Sequence, residues 1–552
     1  MCAPLRIATL LKLSMLCSLP AVVLYVPAVA EAPQLTSIFP AGGQRGTTCE
    51  VTLTGTFPTW PVLVWCDQAD CVGTATAESG KLTIAIAADA PPGVRWLRIY
   101  NDQGASGLRP FVVGLAPEIN EAPVDDKQSN GSKTQAAELV DHLPVTINGV
   151  LDKRGAADNF SVDLNYGEQL VASLDANRGP RSPVDATLQL LDANGIVLAQ
   201  NMDCHGLDPQ LAFVAPYDGS FHVRVFGFPE APDSTISYAG SPAYVYRLTL
   251  TTGPYVEATM PLAIAAGQAT ELQPVGYNLD GLASQIVTAE NRETNAAPQH
   301  IAVHFPHATG SLQLPVKSLP VLSESDPRAT ASESQALALP CSVTGRLAAP
   351  KESDRYAFET QAGVRWKFLL ESRALGYPLD GVLTLRDAEG KELARQDDAD
   401  GQPDPLIQWQ APSAGTFSIA VGDLFGAGGE HYVYRLTIEE DIPEPRLSVA
   451  SELLQATVGK SLEIPVTINR YLEYGDELEI AVTGLPASAT VVPMTSITGS
   501  DSSKTVTLSV VASEPFQGPV QVIGRSANSG AEYLSTASDS GQSWIWLSVV
   551  AP

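Results

Sequence analysis

The chain has 552 residues, 44% of them hydrophobic, and carries 61 acidic against 33 basic side chains, a formal charge of −28. That length allows about three to five domains, and the apolar share is enough to give each a buried core. A surface this acidic repels phosphate backbones, which excludes nucleic acid as a partner, while it attracts cations and favours solubility.

Arg6 and Lys12 precede an apolar run from Leu13 to Val26, and Ala28-Val29-Ala30 closes it. This is the pattern of a secretory signal peptide over residues 1–30, cleaved near Ala30. Leu16-Cys17 raises a lipid anchor, but Ser14-Met15-Leu16 is a poor approach to an acylated cysteine. No later apolar run is long enough to span a bilayer, so no transmembrane anchor is expected. A secreted or periplasmic, cell-surface location follows.

The stretch 31–116 alternates at Val51 and Leu53, at Leu82, Ile84 and Ile86, and at Leu97 and Ile99 against Trp96, Arg98 and Tyr100. Period-two alternation broken by Gly and Pro predicts a β-sandwich. Ile38-Phe39-Pro40 followed by Gly42-Gly43 and a strand closing on Gly55 resembles the opening of Ig-like IPT/TIG domains, which implies a spacer or contact module. No helix pattern follows the glycines, which excludes a phosphate loop. Cys49, Cys66 and Cys71 are the disulfide candidates in an oxidising compartment, with Cys66–Cys71 and Cys49–Cys71 both open. They offer too few ligands for zinc.

The next feature is a duplication. Asp185 opens DATLQLLDANGIVLAQ, and the segment ends in Tyr244-Val245-Tyr246-Arg247-Leu248. Asp380 opens DGVLTLRDAEGKELARQ, and that segment ends in Tyr432-Val433-Tyr434-Arg435-Leu436. Repetition over so long a unit marks a whole domain present twice. Alternating leucines around Asp192-Ala193-Asn194-Gly195 and Asp387-Ala388-Glu389-Gly390 predict β-hairpins. Both copies resemble the bacterial pre-peptidase C-terminal domain, a jelly-roll-like sandwich. The resemblance rests on Gly149, Asp158, Gly167, Gly195, Gly219 and Tyr246 in the first copy, and on Gly345, Asp354, Gly363, Gly390, Gly415 and Tyr434 in the second. It implies a non-catalytic module that often accompanies secreted peptidases. The expected boundaries are 117–252 and 333–440, with an Ig-like β domain at 253–325 between them and an Ig-like sandwich at 441–552 after them.

Calcium is the cofactor the residues suggest. Asp397, Asp398, Asp400 and Asp404 crowd one loop of the second copy, with Asp380 and Asp387 at nearby strand ends. Calcium takes six to eight oxygen ligands, and crowded carboxylates repel one another without a cation. Asp185, Asp192, Asp203 and Asp208 form the sparser set in the first copy. His300, His304 and His307 have no adjacent acid and read as surface histidines. A nucleophile elbow and a zincin helix are both lacking in the sequence. Trp366 and Trp409 read as core, Trp60 and Trp65 as the exposed candidates, and Trp544 and Trp546 as offered to solvent or a partner.

The sequence therefore predicts an all-β chain of tandem β-sandwich modules, Ig-like and jelly-roll-like, arranged on a string. The expected function is non-catalytic binding, adhesion or scaffolding at the bacterial cell surface or extracellular matrix, calcium-stabilised, with an extracellular protein or polysaccharide as partner. An accessory of a secreted peptidase is the alternative, and a hydrolase on an unrecognised β scaffold the second alternative.

Overall fold

Strict alternation builds the sheets. Thr505–Ala512 alternates exposed and buried residues from end to end, and Ser461–Tyr471 and Thr48–Thr56 do so over most of their length. In an extended chain this puts one set of side chains in a core and the other in water. The computed structural model describes residues 31–121, 138–228, 237–290, 299–325, 334–399 and 401–552. The predicted signal peptide and Asp400 lie outside the described residues. The described chain is all-β, with only two short 3-10 turns, Arg373–Leu375 and Asp501–Ser503.

The strands form stacked sheets, each stack around its own apolar cluster. The first pairs a four-stranded sheet with a five-stranded one over Val51, Leu82, Ile84, Leu97, Ile99 and Phe111. The two duplicated units have the same layout. Each is a pair of five-stranded sheets, and the strands run in matching order. Val145–Val150 pairs with Val245–Thr251, and Cys341–Arg346 pairs with Val433–Glu440. Ala157–Leu164 pairs with Gly219–Gly227, and Ser353–Thr360 with Gly415–Asp423. Two three-stranded sheets enclose a small core of Val256, Ile264, Leu272 and Phe305 between them. In the last unit one hydrogen-bonded path of strands folds back on itself around Val466, Leu508, Val522 and Leu547.

One strand departs from the expected partition. Val321–Ser323, assigned from the sequence to the Ig-like stretch ending at 325, pairs in parallel with Cys341–Arg346 and so belongs to the sheet of the second duplicated unit. Glu118–Asn120 pairs in the same way with Val145–Val150 in the first unit. Both strands are short, three residues each, and nothing in a three-residue apolar alternation says which sheet will take it up.

The modules also touch out of order. Trp65 of the first sandwich packs edge-on against Trp544 and Trp546 of the last, with ring centroids 4.8 and 5.4 Å apart. Tyr100 lies 5.2 Å from Trp546. Trp546 is 1% exposed. The aromatic faces that the sequence left open are thus joined to each other. Trp366 and Trp409 pack in the core of the second duplicated unit, as expected.

Candidate functional site

The most distinctive chemistry is built twice. In each duplicated unit a glycine, a tyrosine and an acid meet. Gly149 lies opposite Tyr246, and Gly345 opposite Tyr434, across the same strand pair. A Cβ at Gly149 would come within 2.1 Å of the Tyr246 ring, and one at Gly345 within 2.2 Å of the Tyr434 hydroxyl. The missing side chain is what lets the ring lie flat across the strand. Each hydroxyl then donates to an acid: Tyr246 to Asp158 at 2.8 Å, and Tyr434 to Asp354 at 2.6 Å. Where the first copy has Phe160, the second has Tyr356, whose hydroxyl lies 2.7 Å from that of Tyr434.

A second acid joins each tyrosine. Glu121 accepts the Val150 amide at 2.9 Å and lies 3.4 Å from the Tyr246 hydroxyl. Burial, then the charge of Asp158, pushes its carboxyl up to about 9. In the second copy burial and Asp354 raise Glu324 to about 8, and burial raises Asp354 to about 6. Two carboxyls in one desolvated place do not both ionise readily, so each pair holds a proton near neutral pH. Glu121 and Glu324 were missed in the sequence because they stand at the edges of the expected domains, away from the alternating strands and the duplicated motifs. The signal was present: Pro117-Glu118-Ile119-Asn120-Glu121 and Pro320-Val321-Leu322-Ser323-Glu324 share Pro, one apolar residue and a closing Glu at the same spacing.

Several of the loop acids proposed for calcium are bound to the backbone. Asp404 is 2% exposed and accepts three backbone amides, those of Ser372, Arg373 and Ala374. Asp208, 0% exposed, accepts those of Ala176, Asn177 and Arg178. The two copies use the same device, a buried carboxylate clasping a backbone turn. Asp192 accepts the amides of Asn194 and Ile196, bonds that hold its carboxyl below the usual range, and Asp387 accepts that of Lys391. Both are hairpin-turn residues. Asp380 pairs with Arg373 at 3.2 Å, and burial raises its pKa. Asp397 and Asp398 are exposed beside it, and Asp203 is exposed in the first copy. The backbone carbonyl of Asp185 accepts the Phe228 amide. Among the described residues, no group of three or more His, Cys, Asp or Glu side chains is arranged to hold a metal ion. Asp192, Asp208, Asp387 and Asp404 are thus engaged with backbone amides in this structure.

Cys49, Cys66 and Cys71 are free thiols in this structure. Cys66 and Cys71 share a hydrogen bond, so their titrations are coupled. Burial lifts Cys49 to about 11.

A further polar cluster joins three modules. Glu257, on the strand Tyr255–Met260, accepts from Gln210 at 3.1 Å and lies 3.1 Å from His431 Nδ1. His431 stacks on Tyr277 at 4.6 Å. Gln210 in turn meets His205 at 3.2 Å, and His205 reaches the Gly376 carbonyl at 2.5 Å. The chain of contacts runs from the first duplicated unit through the middle module to the second. Periodicity within one strand says nothing of such contacts, which is why the sequence missed them.

No protein-family model matches the chain. Over 73 residues it is 41% identical to a probable subtilase-type serine protease of Deinococcus radiodurans, a match covering 13% of this chain and 10% of that protein. The chain therefore spans about a tenth of that relative's length. Among solved structures, the pre-peptidase C-terminal domain of a Bacillus anthracis collagenase aligns at 13% identity over 19% of this chain and 95% of its own, TM-score 0.16. The fibronectin(III)-like modules of CbhA from Clostridium thermocellum align at 12% identity over 35% and 88%, TM-score 0.14. Scores this low carry no argument, and the fold stands on the strands described above. Among the described residues, no helix is long and apolar enough to cross a membrane.

Proposed function

We propose that this chain is an exported, non-catalytic binding or scaffold protein of the bacterial cell surface or matrix, whose modules act as one body. One observation supports this above all: its buried ionic groups join module to module, with Glu257 meeting His431 and Arg98 meeting Glu452. Charged side chains fixed in such contacts are positioned to hold surfaces in register, which suits a protein that presents a face to an extracellular protein or polysaccharide. The test is twofold. Mature protein is passed through a broad hydrolase screen, where turnover would sink the reading. It is then used to retrieve partners from a whole cell envelope and from a glycan array, where specific retention supports it.

A second reading makes the chain an accessory of a secreted peptidase. The 73-residue match to the Deinococcus protease favours it. Co-purification of a peptidase with the chain, at fixed stoichiometry, separates this reading from the first.

A further inference from the structure

A cleft of about 510 Å³ opens where the first sandwich and the first duplicated unit meet the middle module. Leu115, Pro117, Pro144, Phe305 and Pro306 give it apolar, largely proline walls. Its polar side chains include Arg45, His304 and His307, and no acid lines it. In a chain with nearly twice as many acids as bases, a cleft lined by three basic side chains and no carboxylate is unusual. Glu118, which follows Pro117, is committed elsewhere, to Arg247 and Asn148.

The basic groups are poised. Arg45 Nη1 lies 3.2 Å from His304 Nε2. An arginine can only donate, so His304 accepts here through its neutral form. Burial and the Arg45 charge favour that form. His307 stands at φ 62°, in the left-handed region that a residue with a side chain seldom adopts.

From this geometry we propose that the cleft binds a carboxylate at the end of an apolar chain, the head on Arg45 and the tail along the proline walls. A planar guanidinium matches a carboxylate with two parallel hydrogen bonds, and the cavity lies within the usual range for small-ligand sites. The ligand displaces His304 as the acceptor for Arg45. As pH falls and His304 gains a proton, it ceases to accept and becomes a second cation facing the carboxylate. His307 and Arg45 are the other titratable or charged groups lining the cleft. Affinity therefore rises on acidification. The inference rests on the binding reading above and gives it a ligand class.

Calorimetry on the full mature chain tests it with three probes: acetyl-Val-Leu-Phe with a free carboxylate, the same peptide amidated, and octanoate. The expected result is binding of the acid peptide at least tenfold tighter than the amide, weakened at least tenfold by Arg45→Gln, and tighter at pH 6 than at pH 8. Octanoate binding as well identifies the site as general for alkyl carboxylates; peptide binding alone assigns it to chain ends. His304→Gln is expected to at least halve the affinity difference between pH 6 and pH 8, His307 supplying what remains, and a melting temperature of the Arg45 variant equal to that of the unchanged chain guards against misfolding. No heat from either acid, or equal heat from acid and amide, overturns the cleft while leaving the wider reading in place. Cleavage of the amide overturns the non-catalytic reading and leaves the cleft's affinity standing.

Discussion

Arg98 of the first module is wholly buried, and its guanidinium is paired with Glu452 of the last. It also donates to the Ser106 carbonyl at 2.6 Å and lies 5.2 Å from the centre of the Trp546 ring. On the strand Gly93–Asn101, Arg98 points away from its own sandwich core, toward the last module. The pair therefore seals a junction between modules 354 residues apart in sequence.

Removing one member leaves a buried charge without a partner. Arg98→Met or Glu452→Leu alone is expected to cost about 3–5 kcal/mol at this junction, with the double variant recovering most of it. Small-angle scattering should show an expanded particle for each single variant and near-normal dimensions for the double. Unchanged dimensions in both singles would mean that the junction does not hold the modules together.

The Glu257–His431 contact makes the middle junction sensitive to pH. The hydrogen bond to Glu257 raises His431, so its stabilisation is full below the ordinary histidine value and is lost as pH rises through the higher folded value. Glu257 is held low, chiefly by His431 against the cost of burial, so its own contribution is lost only as pH falls through that depressed value. The junction is strongest when both are charged, at about pH 5 to 6.5. His431→Asn should therefore lower stability by about 1–3 kcal/mol at pH 6 and by less at pH 8.5. A melting-temperature difference that does not change with pH refutes this.

The acid pairs act in the same direction as His431, losing stability as pH rises. Glu121 and Glu324 hold their protons up to about 9 and about 8 in the folded chain, so the folded state binds more protons than the unfolded one above the ordinary carboxylate range. Stability then falls as pH rises from about 4.5 toward those values. Glu121→Gln keeps the shape and removes the charge. It is expected to raise the melting temperature by about 3–6 °C at pH 8, the effect of roughly 1 kcal/mol in a domain of this size, with little change at pH 5. Destabilisation at pH 8 would show that Glu121 works as a carboxylate.

Asp404 separates a structural carboxylate from a calcium ligand. Its three amide bonds predict that Asp404→Asn costs about 2–3 kcal/mol, equally with millimolar calcium and with chelator. Asp208→Asn should behave alike in the first copy. A loss confined to the calcium-loaded protein would place Asp404 among calcium ligands.

Much of this protein was legible before any coordinates. The hairpins at Asp192–Gly195 and Asp387–Gly390 follow from their Asp and Gly, because an Asp side chain can close its own turn and Gly takes the positive φ found there, 83° and 82°. The sheets at Gly415–Asp423 and Thr505–Ala512 follow from alternation, because side chains two apart share a face in any extended strand. What the acids do was not legible. Asp404 and Asp397 look alike on paper, yet one is buried on three amides and the other faces water.

Local pattern fixes local conformation, because turn chemistry and alternation act over a few residues. The all-β character and the duplicated unit were therefore set by the sequence alone. Where Arg98, Glu257, Trp65 and Glu121 find their partners depends on chain segments tens to hundreds of residues away, brought together by the packing of whole modules. Long-range placement carries no periodic signature, so the junctions, the acid pairs and the basic cleft were decided only by the tertiary structure.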